Sequence, residues 1–324
     1  MSDRYARQSI LSEVGAEGQA RLAAATVLVV GAGGLGCAVL QYLAAAGVGR
    51  LVIVDHDRVE ESNLHRQPLY RMSDLGAPKA QAARAALLAM NPAVRIDAVT
   101  ERLTAANAAR LAGVAQIAID AADSFAVTYI LSDVCREAGV ALVSASVLGL
   151  SGYVGAFCGG APSYRAVFPE MPRQAGSCAE AGVLGTAVGV MGTLQAHLAL
   201  ALLLEWQPTV LGRLISLDFR TLRTGGFSFA LAQEPAGASL RFIAPSDVSG
   251  ADIVIDLRSL REAPVSPFAA SVRVAVEALE KGEMRFPKEP RIVLCCRSGV
   301  RAWRAARALE RAGHANLALI ALGE

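Results

Sequence analysis

At 324 residues the chain is long enough for two domains, and 53% hydrophobic against 19% charged residues supply a large core with a subunit interface besides. With 31 basic and 29 acidic residues the formal charge is only +2, which gives no footing for nucleic acid or an anionic membrane surface. The six cysteines, Cys37, Cys135, Cys158, Cys178, Cys295 and Cys296, form no Cys-x-x-Cys pair and no secretory signal is read, so reduced thiols in a cytoplasmic protein are expected.

The opening residues read as a polar, helix-forming arm. Thr26-Val-Leu-Val-Val-Gly31 is a short apolar run ending in glycine, the pattern of a strand buried on both faces. A helix from Gly34 to Ala46 and a strand from Leu51 to Asp55 follow. An alanine-rich helix over 77–90 is stopped by Asn91-Pro92. Val94 to Thr100 and Gln116 to Asp120 read as strands, and a helix from Phe125 to Ala138 leads to a strand from Val140 to Ser146. This alternation predicts an α/β fold with a doubly wound, mostly parallel, Rossmann-like sheet.

After Gly149 the pattern changes. Gly152 to Cys158 and Arg213 to Ala230 read as antiparallel strands in the second half of the sheet. The uncharged stretch from Ala181 to Leu204 has the length of a membrane span, but its glycines, Thr186, Thr193, Gln195 and His197 predict a buried helix. Residues 233–249, rich in Pro, Gly, Ala and Ser, read as a linker between a domain at 1–232 and a smaller α/β domain at 250–324. The latter is predicted to carry strands at Asp252–Asp256 and Arg291–Cys295 and a helix from Val300 to Ala312.

Gly31-Ala32-Gly33-Gly34-Leu35-Gly36 fits G-x-G-x-x-G between a strand and a helix, where glycines let the backbone turn tightly and approach phosphates at the helix N-terminus. Asp55 lies 19 residues after Gly36 at the end of the next strand, placed to accept from ribose hydroxyls. These features alone suit an NAD-dependent oxidoreductase equally well.

The continuation, Asp55-His56-Asp57-Arg58-Val59-Glu60-Glu61-Ser62-Asn63-Leu64-His65-Arg66-Gln67, resembles the D-x-D-x-V-x-x-S-N-L-x-R-Q signature of the ubiquitin-activating-enzyme superfamily, whose bacterial ThiF/MoeB/HesA members activate ubiquitin-like sulfur carriers. Gly76-Ala77-Pro78-Lys79, Asn91-Pro92, Ser177 to Gly185 and Leu194-Gln195-Ala196 extend the resemblance, which covers residues 4–225. It implies ATP and Mg²⁺, with Arg66 and Lys79 holding phosphates, Asn63 orienting them, and Asp123 of Asp120-Ala-Ala-Asp123 ligating Mg²⁺. Ser124 departs from the usual Asn. Arg4-Tyr5-Ala6-Arg7-Gln8 resembles the family's R-Y-x-R-Q arm, which makes Arg7 a candidate to reach the triphosphate of a partner subunit in a homodimer. Adenylation calls for such cations, because negative charge gathers when a carboxylate attacks the α-phosphate and pyrophosphate leaves.

Many relatives bind a structural zinc through two C-x-x-C pairs. Here Ser163 and Ala166 stand at the first pair, and 224–230 holds no cysteine for the second, so no zinc is expected. Cys178 falls where some members carry a cysteine that links covalently to the carrier, while others retain the segment without needing the thiol. Residues 250–324 resemble a shortened rhodanese-like domain: Asp256-Leu257-Arg258 matches its D-x-R strand end, and Cys296-Arg297-Ser298-Gly299-Val300-Arg301 its active loop. Backbone N–H groups in such a loop are expected to lower the Cys296 pKa and stabilise a persulfide.

The sequence therefore predicts adenylation of a ubiquitin-like sulfur carrier's C-terminal glycine, coupled to sulfur transfer for molybdopterin, thiamine or related chemistry. A cysteine desulfurase is the expected kind of persulfide donor. The competing readings are the NAD-dependent oxidoreductase and a carrier-binding module whose catalysis has decayed.

Overall fold

Short runs of Val, Ile and Leu form the parallel half of the first sheet: β1 (Thr26–Val30), β2 (Arg50–Val54), β3 (Arg95–Val99), β4 (Ile117–Asp120) and β5 (Ala141–Leu148). The computed structural model describes residues 3–172, 182–236 and 240–323. Helices α1 (Ala6–Ser9), α2 (Gly15–Ala24), α3 (Gly34–Ala46), α4 (Lys79–Met90), α5 (Ala105–Ala112) and α6 (Phe125–Ala138) alternate with these strands. Antiparallel strands β6 (Ser151–Cys158), β7 (Arg213–Asp218) and β8 (Arg223–Ser228) complete the order β3-β2-β1-β4-β5-β6-β7-β8, with α7 (Tyr164–Val167) and α8 (Gly185–Leu203) in the β6–β7 connection. The order reverses between β1 and β4, and the crevice at the carboxyl ends of these two strands is where such sheets take ligands.

Helix α8 is long and apolar enough to cross a membrane by length and composition. In this fold it lies against α3 and the sheet instead: Gly192 comes so close that a Cβ there would lie 2.5 Å from the Leu35 carbonyl oxygen. Its buried residues include Val188, Met191, Gln195 and Ala199. The predicted buried helix is thus a central packing element of the described chain.

The second sheet is entirely parallel, in the order β11-β10-β12-β13-β9, formed by β9 (Arg241–Phe242), β10 (Ile253–Asp256), β11 (Val272–Arg273), β12 (Ile292–Cys296) and β13 (Leu317–Ala321). Helices α9 (Val276–Glu280) and α10 (Val300–Arg311) accompany it. Strand β9 falls inside the stretch 233–249 read as a linker. Phe242 draws it into the sheet, since its side chain is buried and its backbone pairs with Leu319. Composition hid this because a two-residue strand has no period to detect.

The two sheets share an apolar cluster that runs from Leu28 and Tyr129 to Phe242, Trp303 and Leu319. At the seam, the rings of Trp303 and Tyr129 lie 5.0 Å apart. The Arg165 guanidinium sits 4.8 Å from the Tyr129 ring centroid and 5.6 Å from that of Trp303. The same guanidinium is clasped by Asp133 at 2.6 and 2.9 Å and donates to the Leu240 carbonyl. A buried arginine held on both edges and one face costs far less to desolvate than an unpaired one.

Candidate functional site

The glycine turn sits at the switch point and its shape is dictated by contacts on every side. Gly31 has φ +96°, and a Cβ there would lie 2.5 Å from the Ala121 carbonyl oxygen, so β1 and β4 converge on a bare backbone. A Cβ on Gly36 would collide with the Gly31 carbonyl. A Cβ on Gly33, by contrast, would meet among the described residues only Gln67 Nε2, at 3.8 Å, beside the N-terminus of α3. That helix end carries unpaired N–H groups and the positive end of the helix dipole, a site for an anion. Gln67 is buried and its Oε1 has no partner among the described residues, so an acceptor stands beside the turn.

Asp55 organises the loop. Its Oδ2 accepts from the Ala32 N–H at 2.7 Å and its Oδ1 from the Asp57 N–H at 2.8 Å. Burial pushes this carboxyl above its ordinary range against those hydrogen bonds. Lys79, the first residue of α4, is buried and its Nζ lies 3.0 Å from Asp57 Oδ2. Partial burial would raise the Asp57 carboxyl, but the Lys79 hydrogen bond and charge outweigh it and hold the group below its usual range. The Tyr70 hydroxyl donates to the Ala32 carbonyl at 2.6 Å and so ties the glycine turn to the approach of α4.

Ser62, Asn63, Leu64, His65, Arg66 and Gln67 form one tight turn, with the N–H groups of Arg66 and Gln67 both donating to the Asn63 carbonyl. Asn63 is buried. Arg66 is half-buried and its Nη1 donates to the Ser62 carbonyl at 3.1 Å and to His65 Nε2 at 2.8 Å. Asp123 is exposed just past β4, and Ser124 stands at the N-cap of α6. Asp120 is buried behind them, accepting from Thr128 Oγ1 at 2.7 Å, Ser144 Oγ at 2.9 Å and the Ala122 N–H. Burial pushes its carboxyl up to about 6. Gln195 of α8 donates to the Asp120 carbonyl at 2.7 Å, which joins the helix to the crevice. The sequence placed Gln195 in a motif but gave it no role.

The turn Asp55-His56-Asp57 brings three metal-ligand types within 4.8 Å of one another. Cations already face two of them, Lys79 on Asp57 and Arg102 on His56, so the donor set disfavours a metal there. Asp123, an exposed carboxylate at the mouth of the crevice, fits the oxygen preference of Mg²⁺.

Arg7 does not join the site of its own chain. Tyr5 packs against Gly47 and accepts from Asn91 Nδ2 at 2.8 Å, and Gln8 Nε2 donates to the Ala46 carbonyl. The arm is therefore docked at the far end of α3, about 20 Å from the glycine turn at 1.5 Å per residue. Arg7 is exposed there. Cys178 lies outside the described residues.

Cys296 ends β12 and is fully buried. Its Sγ accepts from the N–H groups of Gly299 at 3.1 Å and Ala302 at 3.4 Å. The expected cradle is there, but the expected lowering of the thiol pKa is not: burial outweighs the cradle and pushes the thiol up. Arg301 is turned away from the sulfur onto Glu262 and the Leu257 carbonyl, and Arg258 is spent on buried Asp256. Ser163, at one expected zinc-ligand position, gives its N–H and hydroxyl to Glu234 at 2.8 and 2.6 Å.

The sequence profile of the ThiF family matches residues 5–237, so the chain belongs to the ThiF family. It is 43% identical over 218 residues to the SAMP-activating enzyme E1 of Haloferax volcanii, a match covering 67% of this chain and 81% of that protein. To the sulfur carrier protein adenylyltransferase of Thermus thermophilus it is 46% identical over 224 residues, covering 67% and 83%. It is also 46% identical over 228 residues to the adenylyltransferase and sulfurtransferase MOCS3 of Bos taurus, where the match covers 68% of this chain but spans only 50% of that longer protein. In fold it resembles E. coli MccB solved with ATP, at a TM-score of 0.63, 20% identity and 74% coverage of each chain. PaaA is similar, at a TM-score of 0.60 and 22% identity, covering 70% of this chain and 73% of that one.

Proposed function

We propose that the chain uses ATP and Mg²⁺ to adenylate the C-terminal carboxylate of a ubiquitin-like sulfur carrier. The observation that carries this reading is the bare glycine turn with buried Lys79 and Asn63, half-buried Arg66 and exposed Asp123 on the segments that flank it. The names of the Haloferax and Thermus relatives support the carrier as substrate. The turn and the N-terminus of α3 receive the phosphates, and Asp55 accepts from the ribose. The carrier's carboxylate oxygen attacks the α-phosphorus as the bond to the bridging oxygen breaks and pyrophosphate departs. Arg66 and Lys79 stabilise the charge that gathers there. Asp123 would hold Mg²⁺, which neutralises phosphate charge when bound. An oxidoreductase would have no use for this cationic group.

In this reading Arg7 completes the site of a partner subunit in a homodimer, with its arm anchored by Tyr5 and Gln8. The second unit is rhodanese-like and Cys296 carries persulfide sulfur, taken from a donor such as a cysteine desulfurase. The described cysteines are all unpaired, which suits a cytoplasmic setting. Incubation of the full chain with ATP, Mg²⁺ and each ubiquitin-like protein of the source organism, read by intact mass, tests the proposal. One carrier gaining an adenylyl group supports it, and no gain with any of them removes it.

A further inference from the structure

The carboxyl ends of the parallel strands of the two sheets meet at Arg102, in the segment after β3. Its backbone is fixed by Asn107, whose Nδ2 donates to the Arg102 carbonyl at 2.9 Å and whose Oδ1 accepts from the Thr104 N–H. On one side the guanidinium Nε donates to His56 Nε2 at 3.3 Å, and His56 stands between the two aspartates of the nucleotide loop. On the other side the guanidinium lies against buried Gly323, just past β13, where a methyl group would collide with Nη1. The Gly323 N–H donates to the Arg297 carbonyl and the Leu322 N–H to the Cys296 carbonyl, each at 2.9 Å. The seat of Arg102 is therefore pinned to the loop that carries Cys296.

His56 Nε2 is also 3.5 Å from Asp57 Oδ1. An arginine N–H only donates, so with Arg102 in place Nε2 is an acceptor and offers no proton to Asp57. Asp57 stays with Lys79. Without the guanidinium, His56 is free to present Nε2–H to Asp57 and to compete with Lys79 for it.

We infer that Arg102, seated on Gly323 of the second unit, is a positioning residue for the nucleotide. It holds His56 away from Asp57, so that the Asp57–Lys79 pair keeps the geometry that receives the triphosphate. The nucleotide site is then complete only with the second unit docked. This inference rests on the reading of the glycine turn as an ATP site.

The test uses the full chain, with equilibrium binding of Mg·ATP and the KM and kcat of carrier-dependent exchange. Arg102→Ala is expected to weaken ATP binding about tenfold, the size of one charge-assisted hydrogen bond, and to raise KM more than it lowers kcat. Arg102→Lys, which keeps a donor cation, recovers part of the loss. Gly323→Ala dislodges the guanidinium from the second unit, strains its own backbone at φ +77°, and gives a loss of at least similar size. In the double variant Arg102→Ala/Gly323→Ala the clash with the guanidinium is gone and only the backbone strain at φ +77° remains, so its loss falls well short of the sum of the two single losses. Unchanged binding in either single variant, or losses that simply add, overturns the inference. If the unmodified chain binds ATP but adenylates no carrier, the adenylation reading fails while these binding comparisons still decide the role of Arg102. If it binds no ATP, both fall.

Discussion

Lys79 Nζ sits 3.0 Å from Asp57 Oδ2, with 7% of the lysine side chain exposed against 54% of the aspartate's. In the proposed site this nearly buried ammonium, whose anionic partner faces solvent, is the charge that meets the incoming phosphate. Lys79→Met is expected to lower carrier-dependent exchange about 10²–10³-fold, the usual cost of one donor to a developing oxyanion. Folding stability moves by about 1 kcal/mol, because one partner of the pair is solvated. Exchange kinetics and chemical denaturation measure both, and near-normal exchange would remove Lys79 from the phosphate site.

The position of Arg7 at the far end of α3 makes its expected contribution intermolecular. Arg7→Ala alone loses exchange, as does Lys79→Met alone. Mixed dimers of the two variants regain activity, because one of their two sites draws an intact arm from one subunit and an intact Lys79 from the other. If co-expressed and subunit-exchanged mixtures stay as inactive as the separate variants, Arg7 acts otherwise.

Asp120 gives a pH signature with a definite sign. Its folded pKa of about 6 lies above the unfolded value near 3.9, so the folded state binds more protons between these limits. The stability this supplies is fully present below about pH 4 and is lost as pH rises through about 6. Relative to Asp120→Asn, the unmodified chain is expected to lose on the order of 2 kcal/mol between pH 4 and pH 7.5. Parallel denaturation curves for the two proteins across this range would contradict the buried, raised carboxyl.

Cys296 is sealed, with Phe242 and Ala126 covering the neighbouring Gly299. A buried thiol with a raised pKa reacts slowly. Peptide-mapped alkylation at neutral pH is expected to label Cys296 far more slowly than an exposed thiol, and Phe242→Ala to speed it. Rapid labelling of the unmodified chain would show that the loop opens readily.

The glycine turn, Asp55 and the Ser62–Gln67 turn were legible because they are local: each specifies its own backbone within a few residues. Strands β1, β2 and β4 were equally plain, since fully buried strands are continuous apolar runs. What escaped depends on distant packing. The His56–Arg102 bond spans 46 positions and the Ser163–Glu234 clasp 71, and neither has a periodic signal. Strand β9 is too short for one. The Cys296 loop was recognisable as a cradle, but its thiol's burial is set by Phe242 and α6, which no reading of the loop alone contains.

Carrier-dependent exchange of labelled pyrophosphate into ATP by the full chain tests the central claim most directly. Exchange is expected to require Mg²⁺ and a carrier with a free C-terminal glycine, and to collapse in Lys79→Met. Absence of exchange with every ubiquitin-like protein of the source organism, or exchange that ignores the carrier, would contradict it.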